Sequence, residues 1–145
     1  MKTRMVMHQE HPEAYNAIMG MEKFITSSTL DKTLLELIKI RASQINGCAF
    51  CINMHTRDAR KNGESEKRIY ALNAWRETPY FTDEERAVLA LTEAMTLIAG
   101  SHVPDEVYNE AARHFSNKTL SEVIIAIITI NGWNRLAIAT GLIPD

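Results

Sequence analysis

Thiols are scarce in this chain: only 2 of its 145 residues are cysteine. So small a number excludes a secreted fold stapled by several disulfides. Glycine and proline are sparse as well, at 6 and 4 residues, so no flexible linker or turn-rich low-complexity tract interrupts the chain. No sign of charge dominates. With 16 basic and 18 acidic residues the formal net charge is -2, which gives no global pull toward nucleic acid or an anionic membrane. Long hydrophobic runs are lacking too. The longest, "VIIAIITI" at residues 123–130, is far short of the roughly 20 residues a membrane span needs. The opening "MKTRMVMHQEHPEAY" has no apolar core of the kind a signal peptide carries. These absences lead to the expectation of a cytoplasmic protein with neither nucleic acid nor membrane as partner. The length predicts one domain over residues 1–145, large enough for a core without metals or staples.

What is present is helical periodicity from end to end, with weak strand signals. Helices are expected from Pro12 to Ile25, Asp31 to Ile45, Cys48 to Lys61 and Glu64 to Trp75. Three more are expected from Thr82 to near Gly100, from Pro104 to Phe115, and from Thr119 to Thr140. Thr82/Glu85 and Thr119/Glu122 both read as capping boxes. Asn46-Gly47 and Asn62-Gly63 read as stops. The fold class is all-α, a bundle of six or seven helices with short connections. The last helix, apolar on most faces, is expected at its centre.

Both cysteines fall in "NGCAFCINMH", residues 46–55, which ends in a histidine. On a helix Cys48, Cys51 and His55 stand at i, i+3 and i+7 and share one face. Helical side chains lean toward the N-terminus, which brings His55 back over Cys51. Cys48 falls at the helix start, where free N–H groups and the macrodipole favour a thiolate. Glu36 precedes the Asn46-Gly47 turn by about as many residues as His55 follows it. An antiparallel hairpin therefore brings the two within about one helical turn. A relay in which Glu36 orients His55 and His55 takes a thiol proton is feasible. Other readings of the same residues are a zinc site, an inert disulfide, and two core cysteines beside an unrelated histidine. Closed zinc sites usually draw on separated ligand pairs, disulfides are rare in the cytoplasm, and free cysteine is often core filler. The spacing favours a redox dithiol and leaves the others open.

The segment "ELIKIRASQINGCAFCINMHTRDARKNGE", Glu36 to Glu64, resembles the core motif of the alkylhydroperoxidase AhpD-like family within the carboxymuconolactone decarboxylase superfamily. That motif is a glutamate, a CxxC beginning twelve positions on, and a histidine four positions after the second cysteine, as in Glu36, Cys48, Cys51 and His55. "WRETPYFTDEERAVLALTEAMT" and "INGWNRLAIATG" are also similar to the family. The resemblance implies an AhpD-like helical bundle that forms trimers or hexamers and reduces hydroperoxides. It implies that Cys51 attacks the peroxide, that Cys48 resolves the sulfenic acid into a disulfide, and that His55 and Glu36 relay the proton. The implied reductant is a dithiol such as a lipoylated protein, and no cofactor or metal is implied. One departure stands out. Better-known enzymes of this type carry a histidine just before the second cysteine, where this chain has Phe50. Phe50 keeps a rival function open, a redox-responsive switch or stress protein without fast turnover. The CxxC argues against a decarboxylase or lactone-opening enzyme of the wider superfamily.

Some polar residues lie outside the motif. Asn131, Trp133, Asn134 and Arg135 stand in an otherwise apolar helix and are expected to bond neighbouring helix ends or across a subunit contact, or else to line the dithiol pocket. Arg41 is a candidate partner for Glu36. The apolar last helix, together with the amphipathic first one, leads to the expectation of a homo-oligomer.

Overall fold

The computed structural model describes residues 1–145, and all its regular structure is helical. The α-helices are α1 (Met7–Glu10), α2 (Pro12–Thr26), α3 (Lys32–Asn46), α4 (Ala49–Lys61) and α5 (Glu66–Ala71), then α6 (Asp83–Thr96), α7 (Ile98–Ser101), α8 (Asp105–His114) and α9 (Asn117–Thr140). A 3-10 segment, Leu72–Glu77, follows α5. The seven expected helices are α2, α3, α4, α5 with its 3-10 extension, α6, α8 and α9. The structure adds the single turns α1 and α7, too short for any periodicity to announce them.

Side-chain caps set most of the starts. Asp31 accepts from the Leu34 amide and Ser65 from the Arg68 amide. Thr82 and Glu85 close a reciprocal capping box on α6. The second expected box does not form. Ser116, three residues before Thr119, caps α9 by accepting from the Thr119 amide. Glu122 instead accepts from the Thr29 hydroxyl at 2.7 Å, across the bundle.

The central helix is α3, not α9. Leu34, Leu35, Ile38 and Ala42 enter a core shared with Val88, Leu91, Leu120, Val123, Ile127 and Ile130. Leu37 and Ile40, on another side, enter a second core with Leu72, Trp75, Phe81 and Leu89. Two buried apolar faces leave α3 one stripe for polar residues, and it carries Glu36, Lys39 and Ser43 at i, i+3 and i+7. Long and apolar enough by length and composition to cross a membrane, α9 packs here against α2, α3, α4, α6 and α8. Ile128 and Ile138 on α9 and Phe24 on α2 face outward.

Arg41 does not meet Glu36. Its Nε donates to Glu93 at 2.9 Å. Burial pushes Glu93 up, but hydrogen bonds from Arg76, Trp75 and Arg41 hold its carboxyl below the usual range. That ionic cluster ties α3, the 3-10 segment and α6 together beside the second core.

Candidate functional site

The site grows from the joint between α3 and α4. Gly47 ends α3 in the left-handed region, φ 70°, which glycine adopts without steric cost. The Cys48 amide donates to the Ser43 carbonyl and the Gly47 amide to that of Gln44, a Schellman closure. The chain reverses within two residues, and Cys48 becomes the N-cap of α4. Its Sγ accepts the Cys51 amide at 3.4 Å, taking the part an N-cap oxygen usually plays. The two sulfurs are 2.6 Å apart, both as free thiols and both buried.

The hairpin also joins Glu36 to His55, through Nδ1 and Oε2 at 3.0 Å. With Nδ1–H donating to the carboxylate, the Nε2 lone pair is the one left to take a proton. His55 makes no hydrogen bond to Cys51; the thiol partner of Cys51 is Cys48. Glu36, Cys51 and His55 nevertheless line one cavity of about 470 Å³. No three His, Cys, Asp or Glu side chains come together in a group that could hold a metal ion.

The thiols are unequal. The hydrogen bond from Cys51 is the main cause that holds Cys48 down at about 7, with the Cys51 amide and Asn134 adding to it and burial opposing. Cys51 is pushed well up, first by its hydrogen bond to Cys48 and then by burial. Cys48, at the helix start, is thus the thiol of the pair that ionises first, while Cys51 keeps its proton. Asn134 answers the question of the polar residues in α9. Its Nδ2 donates to the Ser43 hydroxyl at 2.9 Å and its Oδ1 accepts from Asn46 at 2.9 Å, and it also lies against the dithiol. The pocket-lining role falls to Trp133, which lines the cavity of Cys51. Asn131 accepts from Asn46 as well, Arg135 turns back to Asn131, and Trp133 donates to Glu22 at 3.2 Å.

The cysteines open to different sides. Cys48 lines a cavity of about 340 Å³ with Lys2, Arg4, Ala49, Ile138 and Gly141. Cys51 lines the larger one, whose walls include Tyr15, Met19, Met54 and Trp133. Phe50, Ala137 and Leu142 line both and form the partition between them. Phe50, the departure from the family motif, thus has a place as an apolar wall. Sequence reasoning missed Lys39, Glu22 and Ser43. The signal for two of them was present: Lys39 and Ser43 continue the Glu36 stripe along an apolar helix.

Comparison with known proteins places this geometry among relatives. The model of the carboxymuconolactone decarboxylase family matches residues 12–94. The "Uncharacterized protein YdfG" of Bacillus subtilis is 47% identical over 97% of this chain and 96% of its own. A crystal structure from Agrobacterium tumefaciens, presented as a protein of unknown function and a candidate AhpD antioxidant defence protein, superposes with a TM-score of 0.96 at 40% identity, covering 99% of both chains. The debrominase Bmp8 shares the fold, with a TM-score of 0.84 at 22% identity over 94% of this chain and 74% of its own.

Proposed function

Because the chain belongs to the carboxymuconolactone decarboxylase family, with an AhpD-like fold, we propose that it is a thiol-dependent peroxidase working through the Cys48/Cys51 dithiol. One observation carries the reading: a polarised thiol pair whose Cys51 shares an organic-sized cavity with the Glu36–His55 couple. In the proposed cycle a hydroperoxide enters the Cys51 cavity. Cys51 gives its proton to His55 Nε2, and its sulfur attacks the terminal peroxide oxygen. The O–O bond breaks, Cys51 becomes a sulfenic acid, and the leaving alkoxide takes a proton from His55. The Cys48 thiolate then attacks the sulfenic sulfur and closes the disulfide, and the departing hydroxide takes a proton from solvent and leaves as water. An external dithiol, such as a lipoylated protein, exchanges with the disulfide and restores both thiols. Reaching the pair from the Cys48 cavity would suit it to that step. A homo-oligomer fits the outward Ile128 and Ile138 of α9.

The test is turnover. Reduced protein is mixed with excess cumene hydroperoxide and dihydrolipoamide, and cumyl alcohol is counted. Many equivalents are expected from wild type, none from Cys51→Ser, and a rate lower by about 10²-fold or more from His55→Ala, the usual cost of a lost proton carrier. One equivalent of alcohol per chain and no more would sink the peroxidase reading and favour a redox switch.

A further inference from the structure

The Cys51 cavity holds a second charged pair for which peroxide chemistry itself has no task. Lys39 is only 4% exposed, and it lines this cavity from the same stripe of α3 as Glu36. Its ammonium is ion-paired to Glu22 Oε1, and the other oxygen of Glu22 accepts from the Trp133 indole at 3.2 Å. Glu22 is thereby anchored from two sides, by α3 and by α9.

An ammonium has three N–H donors. Glu22 takes one, and no other protein acceptor bonds Lys39 Nζ. The remaining donors are free for whatever fills the cavity. Burying an ammonium carries a desolvation cost that a half-buried carboxylate partner only partly offsets, and apolar residues of equal volume pack such a wall at least as well. The neighbours show the alternative was at hand, since Tyr15, Met19 and Leu136 line the same cavity. Tyr15 packs edge-on against Trp133, with centroids 5.3 Å apart.

Charge and size narrow the guest. Carboxylates of Glu22, Glu36 and Asp58 face the cavity against the single permanent cation of Lys39. An anionic guest meets net repulsion there, whereas an uncharged oxygen acceptor meets a donor already neutralised by Glu22. The volume, about 470 Å³, is far beyond the ~30 Å³ that a water-sized molecule occupies.

We infer that Lys39 is a positioning residue for an uncharged organic substrate, donating to a substrate oxygen while Tyr15, Met19 and Trp133 hold the apolar body. The inference rests on the Cys51 cavity being the substrate cavity of the proposed peroxidase, and it names the substrate class that cavity takes.

Calorimetric titration of the reduced protein tests it, with cumyl alcohol against the similarly shaped carboxylate 2-methyl-2-phenylpropanoate. The alcohol is expected to bind, and the carboxylate to bind at least about tenfold more weakly. Lys39→Met is expected to weaken the alcohol by about tenfold, the scale of one hydrogen bond from a charged donor. That variant leaves the half-buried Glu22 without its counter-charge. The double variant Lys39→Met/Glu22→Gln removes both charges and is expected to show the same weakening with an ordinary melting transition. In turnover of cumene hydroperoxide the loss is expected mainly in KM, with kcat changed less. Absence of alcohol binding by wild type, equal binding of the carboxylate, or undiminished alcohol binding by the double variant would each overturn the inference. Alcohol binding without any hydroperoxide turnover would overturn the peroxidase reading and leave the binding preference standing.

Discussion

Removing Cys51 is the sharpest probe of the resting dithiol, because Cys51 is the main reason that Cys48 ionises early. In the structure Cys48 titrates at about 7 against an ordinary 9.0, and the hydrogen bond from Cys51 is the largest cause. Burial of Cys48 works the other way. In Cys51→Ala the thiol donor is gone while the burial stays, so the Cys48 value is expected to climb by about two units, back to the ordinary thiol range or above. Two units correspond to roughly 3 kcal/mol of differential stabilisation of the thiolate. At pH 7 the thiolate fraction of Cys48 would fall from about one half to about one hundredth. Alkylation would fall less, because a more basic thiolate is more nucleophilic. With a Brønsted slope near 0.45, about eightfold is recovered, and the net slowing is about sixfold. Thiolate absorbance near 240 nm, followed against pH on wild type and variant, reads the shift directly. A Cys48 that still titrates near 7 without Cys51 would refute the account and give the credit to the start of α4 alone. A wild-type protein with no thiol titrating below about 8 would refute the polarised pair altogether.

Two further outcomes follow from the same structure. The depressed Cys48 value means that the unfolded chain binds more protons than the folded one between about pH 7 and 9, so stability of the reduced protein should rise with pH across that window and be lost again as pH falls through 7. The raised Cys51 value acts oppositely above pH 9. Thermal melts of the reduced form should therefore gain on those of the disulfide form between pH 7 and 9 by up to about 2 kcal/mol, or several degrees; parallel melts would contradict the pairing. Ser116→Ala should destabilise the protein by about 1 kcal/mol in urea, as the loss of an N-cap does, and Thr119→Ala by clearly less. The reverse order would return the cap to Thr119.

Much of the fold was legible because local rules agree with the tertiary result. Periodicity placed seven helices, and Asp31, Gly47 and Thr82 ended or began them where capping chemistry says they should. The failures share a cause. Glu122 has the spacing for a box with Thr119, but Thr29, distant in sequence, offers it a hydroxyl, and no local pattern announces that. Helix α9 looks central by composition, yet it leaves Ile128 and Ile138 outside, while α3 is buried on two faces. At the site, hairpin counting was enough to bring Glu36 to His55, because both lie at set distances from one turn. The separation of the two cysteines was not legible, since Ala137 and Leu142 come from the far end of the chain. Nor was the Lys39–Glu22 pair, which depends on how α2 and α3 both pack on α9.

The partition made by Phe50, Ala137 and Leu142 has a kinetic consequence. Two electrons can cross it as a sulfur–sulfur bond is made and broken, while no bulky molecule need cross at all. On the proposed chemistry, oxidant and reductant would then dock in different rooms and never contend for one berth. Saturating dithiol would not crowd out the peroxide, and a surplus of peroxide would not block reduction. Reciprocal plots at several dithiol concentrations would run parallel, and the ceiling on throughput would be set by the slower half-reaction rather than by rivalry between the two.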